Sequence, residues 1–324
     1  MFTHSVLMPN QAQAADGDVT VDLPVNPLSV IFLQLAPLNE TGTITTYSML
    51  AAILGACTNV RISHKGSAVI EASCADLAVL AMLWHGVPIW QSNQSETDDE
   101  RRSVIVPILF GRKPYDSNEC FPETRKGELQ ATFTFDIAAS GFDGLRFSVE
   151  TIELPDASPA RVQKVTTLAQ TFAAVGQNDI DLPIGNMLRG ILLWGTTGFT
   201  GAAPAPTIGS AELLVNNRQT HYSETDFEVG RAISGLLGRP FPPDYRHIHS
   251  GTYTTTVAGD SREPMAEGSK DANYLFLPLD VTGDDEHSID TAGASRVNVR
   301  VTAEAAEAVR ALPIERVDAG VFTQ

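Results

Sequence analysis

Apolar and polar positions alternate with a period of two through much of the chain, as in Ala131-Thr132-Phe133-Thr134-Phe135 and Val297-Asn298-Val299-Arg300-Val301. Successive side chains of a strand point to opposite faces, so these segments place one face on a core and the other toward water or a neighbour. Fuller apolar runs at 28–33, 188–193, 104–109 and 274–279 read as buried strands. Two segments break the pattern. Ser73-Cys74-Ala75-Asp76 and Thr225-Asp226-Phe227-Glu228 have the capping-box form, a hydroxyl at the helix start and an acid three residues on. The first predicted helix carries Leu77, Leu80, Leu83 and Trp84 and is apolar on much of its surface; the second shows one stripe, Val229, Ile233, Leu236 and Leu237. Each stops at a glycine two residues before a proline, Gly86 and Pro88 against Gly238 and Pro240. Residues 303–310 read as helix by propensity and as a loop entering a strand by position, and both readings stand.

The order of these features repeats. Asp22-Leu23-Pro24-Val25 returns as Asp181-Leu182-Pro183-Ile184, each ahead of a buried run. Val60-Arg61-Ile62-Ser63-His64-Lys65-Gly66 aligns with Glu212-Leu213-Leu214-Val215-Asn216-Asn217-Arg218, a strand running into a tight turn. The predicted helices follow, then the runs at 104–109 and 274–279, the alternating strands, and finally Ile152-Glu153 against Ile314-Glu315. Such a repeat is one supersecondary plan used twice, with insertions absorbed by loops. The expected fold class is all-β: two tandem β-sandwich domains, 1–158 and 159–324, each of about eight short strands with one short helix. Residues 1–20 are expected as an N-terminal arm. The alternative is one large β-sandwich.

A length of 324 residues that are 43% hydrophobic suffices for two cores. The 22 basic and 39 acidic side chains give 22 − 39 = −17, and no basic run exceeds two residues. A role in coating nucleic acid through clustered Lys and Arg is thereby excluded. Cys57, Cys74 and Cys120 form neither a Cys-x-x-Cys pair nor an even framework, so free thiols in a reducing compartment are expected. With neither a secretion signal at residue 1 nor a membrane-length apolar stretch, a soluble chain made in a cytoplasm is the expectation.

Candidate chemistry is sparse. His247-Ile248-His249 places two imidazoles on one strand face, as cupin-like metal sites do, but Ser250-Gly251-Thr252-Tyr253-Thr254 lacks the glutamate that should follow. Asp280, Asp284, Asp285, Glu286 and Asp290 cluster around Gly283; they read as a solvated turn, with a calcium ion as the other reading. Glu96-Thr97-Asp98-Asp99-Glu100 before Arg101-Arg102 reads as an exposed, self-neutralising loop. No Gly-x-Ser-x-Gly, phosphate loop or His-Glu-x-x-His occurs, so no catalytic, cofactor-binding or metal-binding residue is assigned.

The doubled pattern, Asp-Leu-Pro before a buried strand, then Met187-Leu188-Arg189-Gly190-Ile191, Ala211 to Asn217, a capped helix, Leu277-Pro278-Leu279-Asp280 and Ile289-Asp290-Thr291-Ala292-Gly293, resembles the double jelly-roll major capsid proteins. These belong to tailless icosahedral viruses, including membrane-containing bacteriophages. The resemblance runs from Asp22 to Val317. It implies two eight-stranded jelly rolls, a homotrimer with a six-sided outline, and a non-enzymatic structural role in the virion capsid, assembled in the host cytoplasm. Neighbouring capsomers, minor capsid and penton proteins and an internal virion membrane are the implied partners. The first 20 residues carry no Lys or Arg, so an arm binding genome or anionic lipid is not expected. A cupin-like or carbohydrate-active double β-barrel enzyme or binding protein is the alternative from another class.

Overall fold

The computed structural model describes residues 1–324 apart from 40–49, 88, 93–100, 138–141, 199–205, 220, 237–244, 249–260, 265–272 and 324. The first half runs β1 (Thr3–Gln13), β2 (Gly17–Asp22), β3 (Leu28–Asn39), α1 (Leu50–Gly55), β4 (Cys57–His64), β5 (Ser67–Ala72), α2 (Cys74–Leu83), β6 (Trp90–Gln91), β7 (Val104–Leu109), β8 (Leu129–Phe135) and β9 (Phe142–Glu153). The second runs β10 (Arg161–Thr166), β11 (Leu168–Thr171), β12 (Gly176–Asp181), β13 (Met187–Gly195), β14 (Ile208–Val215), β15 (Arg218–Gln219), β16 (Thr225–Asp226), α3 (Phe227–Leu236), β17 (Tyr245–Ile248), β18 (Ser261–Pro264), β19 (Tyr274–Pro278), β20 (Ile289–Asp290), β21 (Val297–Ala303) and β22 (Ala308–Asp318). A 3-10 turn, Ala319–Phe322, closes the chain.

Each half is a sandwich. In the first, sheet β1-β9-β3-β7-β6 faces β5-β4-β8-β2; in the second, β19-β13-β22-β10 faces β12-β21-β14-β15. Inward residues alternate as the pattern requires: Ala131, Phe133 and Phe135 on β8, and Val297, Val299 and Val301 on β21, are all buried. Three expectations are corrected. Residues 1–20 are not a free arm, because β1 pairs with β9 and β2 with β8. The first half carries two helices, since α1 precedes β4. Among the described residues the first half has nine strand segments and the second more, because bulges and short edge pieces divide the strands. The open question at 303–310 resolves to a turn leading into β22, where sheet pairing overrides helix propensity.

The sequence repeat has a physical basis at each step. After Asp22 and Asp181 the next residue still pairs, Leu23 N donating to Leu129 O at 3.0 Å and Leu182 N to Val297 O at 2.8 Å. Proline then supplies no donor, and the chain crosses to the opposite sheet. There Asn26 Nδ2 donates to Glu153 Oε2 and Asn186 Nδ2 to Glu315 Oε1, both at 2.7 Å, pinning each crossover to the end of β9 or β22. The two hairpins match as well. Lys65 and Gly66 have φ of 48° and 84°, and Asn216 and Asn217 have 52° and 61°, the paired left-handed residues of a two-residue turn that suits strand twist. β3 and β13 each carry a bulge at the same place, between Leu28 and Val30 and between Leu188 and Gly190, so Ser29 and Arg189 are counterparts.

The halves do not stand apart. β10 lies parallel to β5, with Val165 opposite Ile70 and Thr166 opposite Glu71, which merges one sheet of each sandwich into a single ten-stranded sheet. The larger core likewise includes Leu192, Tyr274, Phe276, Leu312 and Ile314 of the second half beside the first half's apolar residues. No helix among the described residues is long and apolar enough to cross a membrane.

Candidate functional site at the seam between the halves

The seam is built around α2. Ser73 caps it, its hydroxyl accepting from Asp76 N at 3.1 Å, as the capping box predicts. The return bond of that motif is replaced. The Asp76 carboxylate, fully buried, accepts from the Tyr274 hydroxyl at 2.6 Å and from Arg310 at 2.9 and 3.1 Å. Arg310 in turn lies 3.6 Å over the Trp194 ring. Burial first, then the neighbouring Asp76 carboxylate, pushes the Tyr274 phenol up. At the other end of α2, Trp84 Nε1 donates to Gln163 Oε1 at 2.7 Å, and its ring meets Phe276 edge-on with centroids 6.2 Å apart.

Deeper in the seam, four guanidiniums meet three carboxylates. Arg112 bonds Glu119 at 2.7 Å and Asp280 at 2.8 Å; Arg189 bonds Glu119 and Asp285, each at 2.7 Å. Arg316 and Arg161 reach Asp285 at 2.8 and 3.0 Å. Arg112 and Glu119 come from the β7–β8 connection of the first half, and the others from β10, β13, β22 and the β19–β20 connection of the second. Gly111 makes room for this, because a Cβ there would overlap the Glu119 carbonyl.

Burial raises the Glu119 carboxyl, but hydrogen bonds from Arg112 and Arg189 outweigh it and hold the group at about 2. Asp285 is likewise pushed up by burial and brought down, further than Glu119, chiefly by Arg189 and then Arg316. Carboxylates held this firmly ionised cannot exchange a proton near neutral pH, so the cluster suits a lock better than a catalytic centre.

The acidic residues therefore divide. Asp280 and Asp285, expected on a solvated turn or around calcium, are turned inward to arginines. Asp284 remains at the surface and accepts from Thr282 Oγ1 and Glu286 N. Asp290 accepts from Ala292 N on the rim of a cleft of about 430 Å³, where Arg161 and Arg316 face Asp290 and Asp318. No group of three or more His, Cys, Asp or Glu able to hold a metal occurs among the described residues. His247 sits on β17 opposite Arg262, and His249 lies outside the described residues.

Other expectations move too. Arg102 is almost fully buried, donating to Ser92 O and to Gln91 Oε1, rather than exposed, while 96–100 lie outside the described residues. Cys57, Cys74 and Cys120 are free and buried. Among the residues of α3 whose burial is described, Phe227 and Gly230 turn inward, Ile233 is half-buried and Val229 is exposed. Leu237, Gly238 and Pro240 lie outside the described residues. Arg189 was the detectable signal for the seam: a lone charge inside an apolar run belongs beside a buried partner.

No protein-family model matches the chain. No curated protein matches it either. Solved structures do. The major capsid protein of bacteriophage PM2 aligns with a TM-score of 0.64 at 14% identity, covering 98% of this chain and 97% of that one. A chain from the atomic structure of Sulfolobus Turreted Icosahedral Virus gives 0.66 at 12% identity, over 98% and 90%. A chain of the PBCV-1 virus capsid gives 0.61 at 9% identity, over 98% and 93%. The likeness runs the length of the chain and fixes the fold as the double jelly roll.

Proposed function

We propose that this chain is a major capsid protein, the repeating tile of an icosahedral viral shell, and that it acts structurally rather than as a catalyst. The observation that carries this reading is the fusion of two sandwiches of one plan through a continuous sheet, matched along 98% of the chain to the phage PM2 capsid protein. Two similar halves, 1–158 and 159–324, let three chains present six similar blocks around an axis, so a homotrimer is the assembly unit. Its place is the virion, after assembly in the host cytoplasm.

Further contacts follow from the ends of the molecule. Met1 bonds Asp156, Phe2 packs edge-on against Tyr115, and Phe322 packs on Phe121, so both termini share one end. Phe2, Val25, Tyr115, Ile184 and Val321 are exposed there. This end is the base, facing an internal membrane or minor capsid proteins through apolar contact. Neighbouring capsomers and penton proteins complete the shell. Calcium has no part at the seam, since Asp280 and Asp285 are neutralised by arginines. Light scattering on the purified full chain tests the reading: the mass of three chains is expected, and a monomer across a wide concentration range overturns it.

A further inference from the structure

The acids at the two crossovers are counterparts that keep different company. Glu153 is met on both oxygens by neutral donors, Asn26 Nδ2 at 2.7 Å and the Ser5 hydroxyl at 2.5 Å. Glu315 keeps the asparagine, with Asn186 Nδ2 donating to Oε1 at 2.7 Å. Its other oxygen, Oε2, accepts no hydrogen bond among the described residues, and the Lys164 ammonium stands 3.5 Å from it. Where the first half gathers an amide, an acid and an alcohol, the second gathers an amide, an acid and a primary amine. Holding the crossover needs no amine, since Asn26 and Ser5 serve in the first half.

The sheet places all three groups. Lys164 on β10 lies directly opposite Glu315 on β22, and Asn186 immediately precedes β13 on the other side of β22. Glu315 is 1% exposed and shares a strand face with Val309 and Ala311 of the second half's apolar core. The Lys164 side chain is 28% exposed. Out of water, passing a proton from an ammonium to a carboxylate replaces two costly charges by two neutral groups. It also frees the lone pair of a nucleophilic amine while the carboxamide is held on the same carboxyl group. Nδ2, the atom that must gain a proton in order to leave, is the one that faces Glu315.

We propose that Lys164 and Asn186 join in an intramolecular isopeptide bond, with Glu315 as the proton carrier. Glu315 takes a proton from the Lys164 ammonium, and the Nζ lone pair adds to Asn186 Cγ as the carbonyl electron pair moves to Oδ1. Glu315 then protonates Nδ2. The Cγ–Nδ2 bond breaks as the carbonyl re-forms, and ammonia departs with the second Nζ proton as ammonium. One C–N bond forms, one breaks, and nothing is oxidised or reduced. Asn186 lines the cleft of about 430 Å³ described above, which gives ammonia a way out. The groups as arranged are the reactants, so the bond follows folding. It straps β10 to the start of β13 across β22 and closes the second sandwich at this end, whereas the first half, with Ser5 in place of an amine, stays unlinked.

Intact mass spectrometry of the purified full chain, followed over time, tests the proposal. The wild type is expected to become lighter by one ammonia, and digestion to release the Lys164 and Asn186 peptides as one branched species. Lys164→Arg keeps a cation beside Glu315 but cannot link, and Glu315→Gln lacks the proton carrier; both are expected to hold their full mass. The urea midpoint of the wild type should rise as its mass falls, because the cross-link restricts the unfolded chain, and that of Lys164→Arg should stay constant. A wild type that holds its full mass, with Lys164 and Asn186 recovered in separate peptides, overturns the proposal. So does an ammonia loss that persists in Lys164→Arg, which marks succinimide formation at an asparagine, or a branched peptide that forms as readily in Glu315→Gln. None of these outcomes touches the capsid reading, which light scattering tests separately.

Discussion

α2 and α3 occupy the same slot in two copies of one plan, yet nine of the ten residues of α2 are buried, whereas α3, in the stretch 227–233 whose burial is described, buries Phe227 and Gly230 and exposes Glu228, Val229 and Ala232. The difference lies in what surrounds each helix. α2 has a core on one side and the second half on the other, so its whole circumference is apolar and its one carboxylate, Asp76, has Tyr274 and Arg310 as partners. Among the described residues α3 packs on β14, β16 and β19 of its own half, and it keeps the one-sided pattern of a surface helix. A helix apolar all round within an otherwise ordinary sandwich is therefore a sign of a second neighbour.

Acid is expected to break this asymmetry most completely, because it titrates the seam as a unit. An unfolded carboxyl titrates near about 4. Glu119 folded titrates at about 2 and Asp285 lower still. A depressed folded value gives stability that is full above the unfolded pKa and lost as pH falls toward the folded one. Urea midpoints measured from pH 5 down to 2 should fall steeply in the wild type and less so in Glu119→Gln, after allowing for that variant's lower starting stability. Equal slopes would remove the seam from the acid response.

Arg189→Met comes next. It leaves Glu119 and Asp285 buried with fewer partners, and breaking one member of such a cluster costs about 3–5 kcal/mol. Denaturant unfolding should show this as a single shifted transition, since one sheet and one core span both halves; two separate transitions would mean that the halves are independent. Leu80→Ala on α2 should cost about 2–5 kcal/mol. Val229→Ala on α3 should stay within about 0.5 kcal/mol. Similar costs at the two positions would erase the contrast between the helices. The repeated crossover bonds, tested by Asn26→Ala and Asn186→Ala, should cost about 1.5–3 kcal/mol each because the acceptor is charged. A loss at one site only would show that the repeat is not energetically equivalent.

The repeat was legible in the sequence because its elements are local. Leu-Pro at a crossover, a two-residue turn, alternation along β8 and β21, and Ile-Glu before the end of β9 and β22 depend on neighbours a few residues away or on burial of one face. The seam was not legible. Its bonds join residues as distant as Arg112 and Asp280, or Asp76 and Arg310, and side-chain charge alone does not distinguish a solvated acid from a buried, paired one. Asp280 and Asp284 illustrate this, four residues apart in one loop, the first turned to Arg112 and the second to Thr282 at the surface. Val229 was misread for a related reason. Helical spacing fixes which residues share a face but not which face turns inward, and Gly230 packed against Leu275 decides that.

By itself the sequence determined that one β-sandwich plan is used twice, since periodicity, turns and crossovers are set by short-range sterics and the burial of apolar side chains. Only the tertiary structure decided that the two sandwiches form one body. That outcome rests on a parallel pairing of β5 with β10, a helix with two neighbours, and a charge cluster whose members gain their partners solely by being brought together out of water.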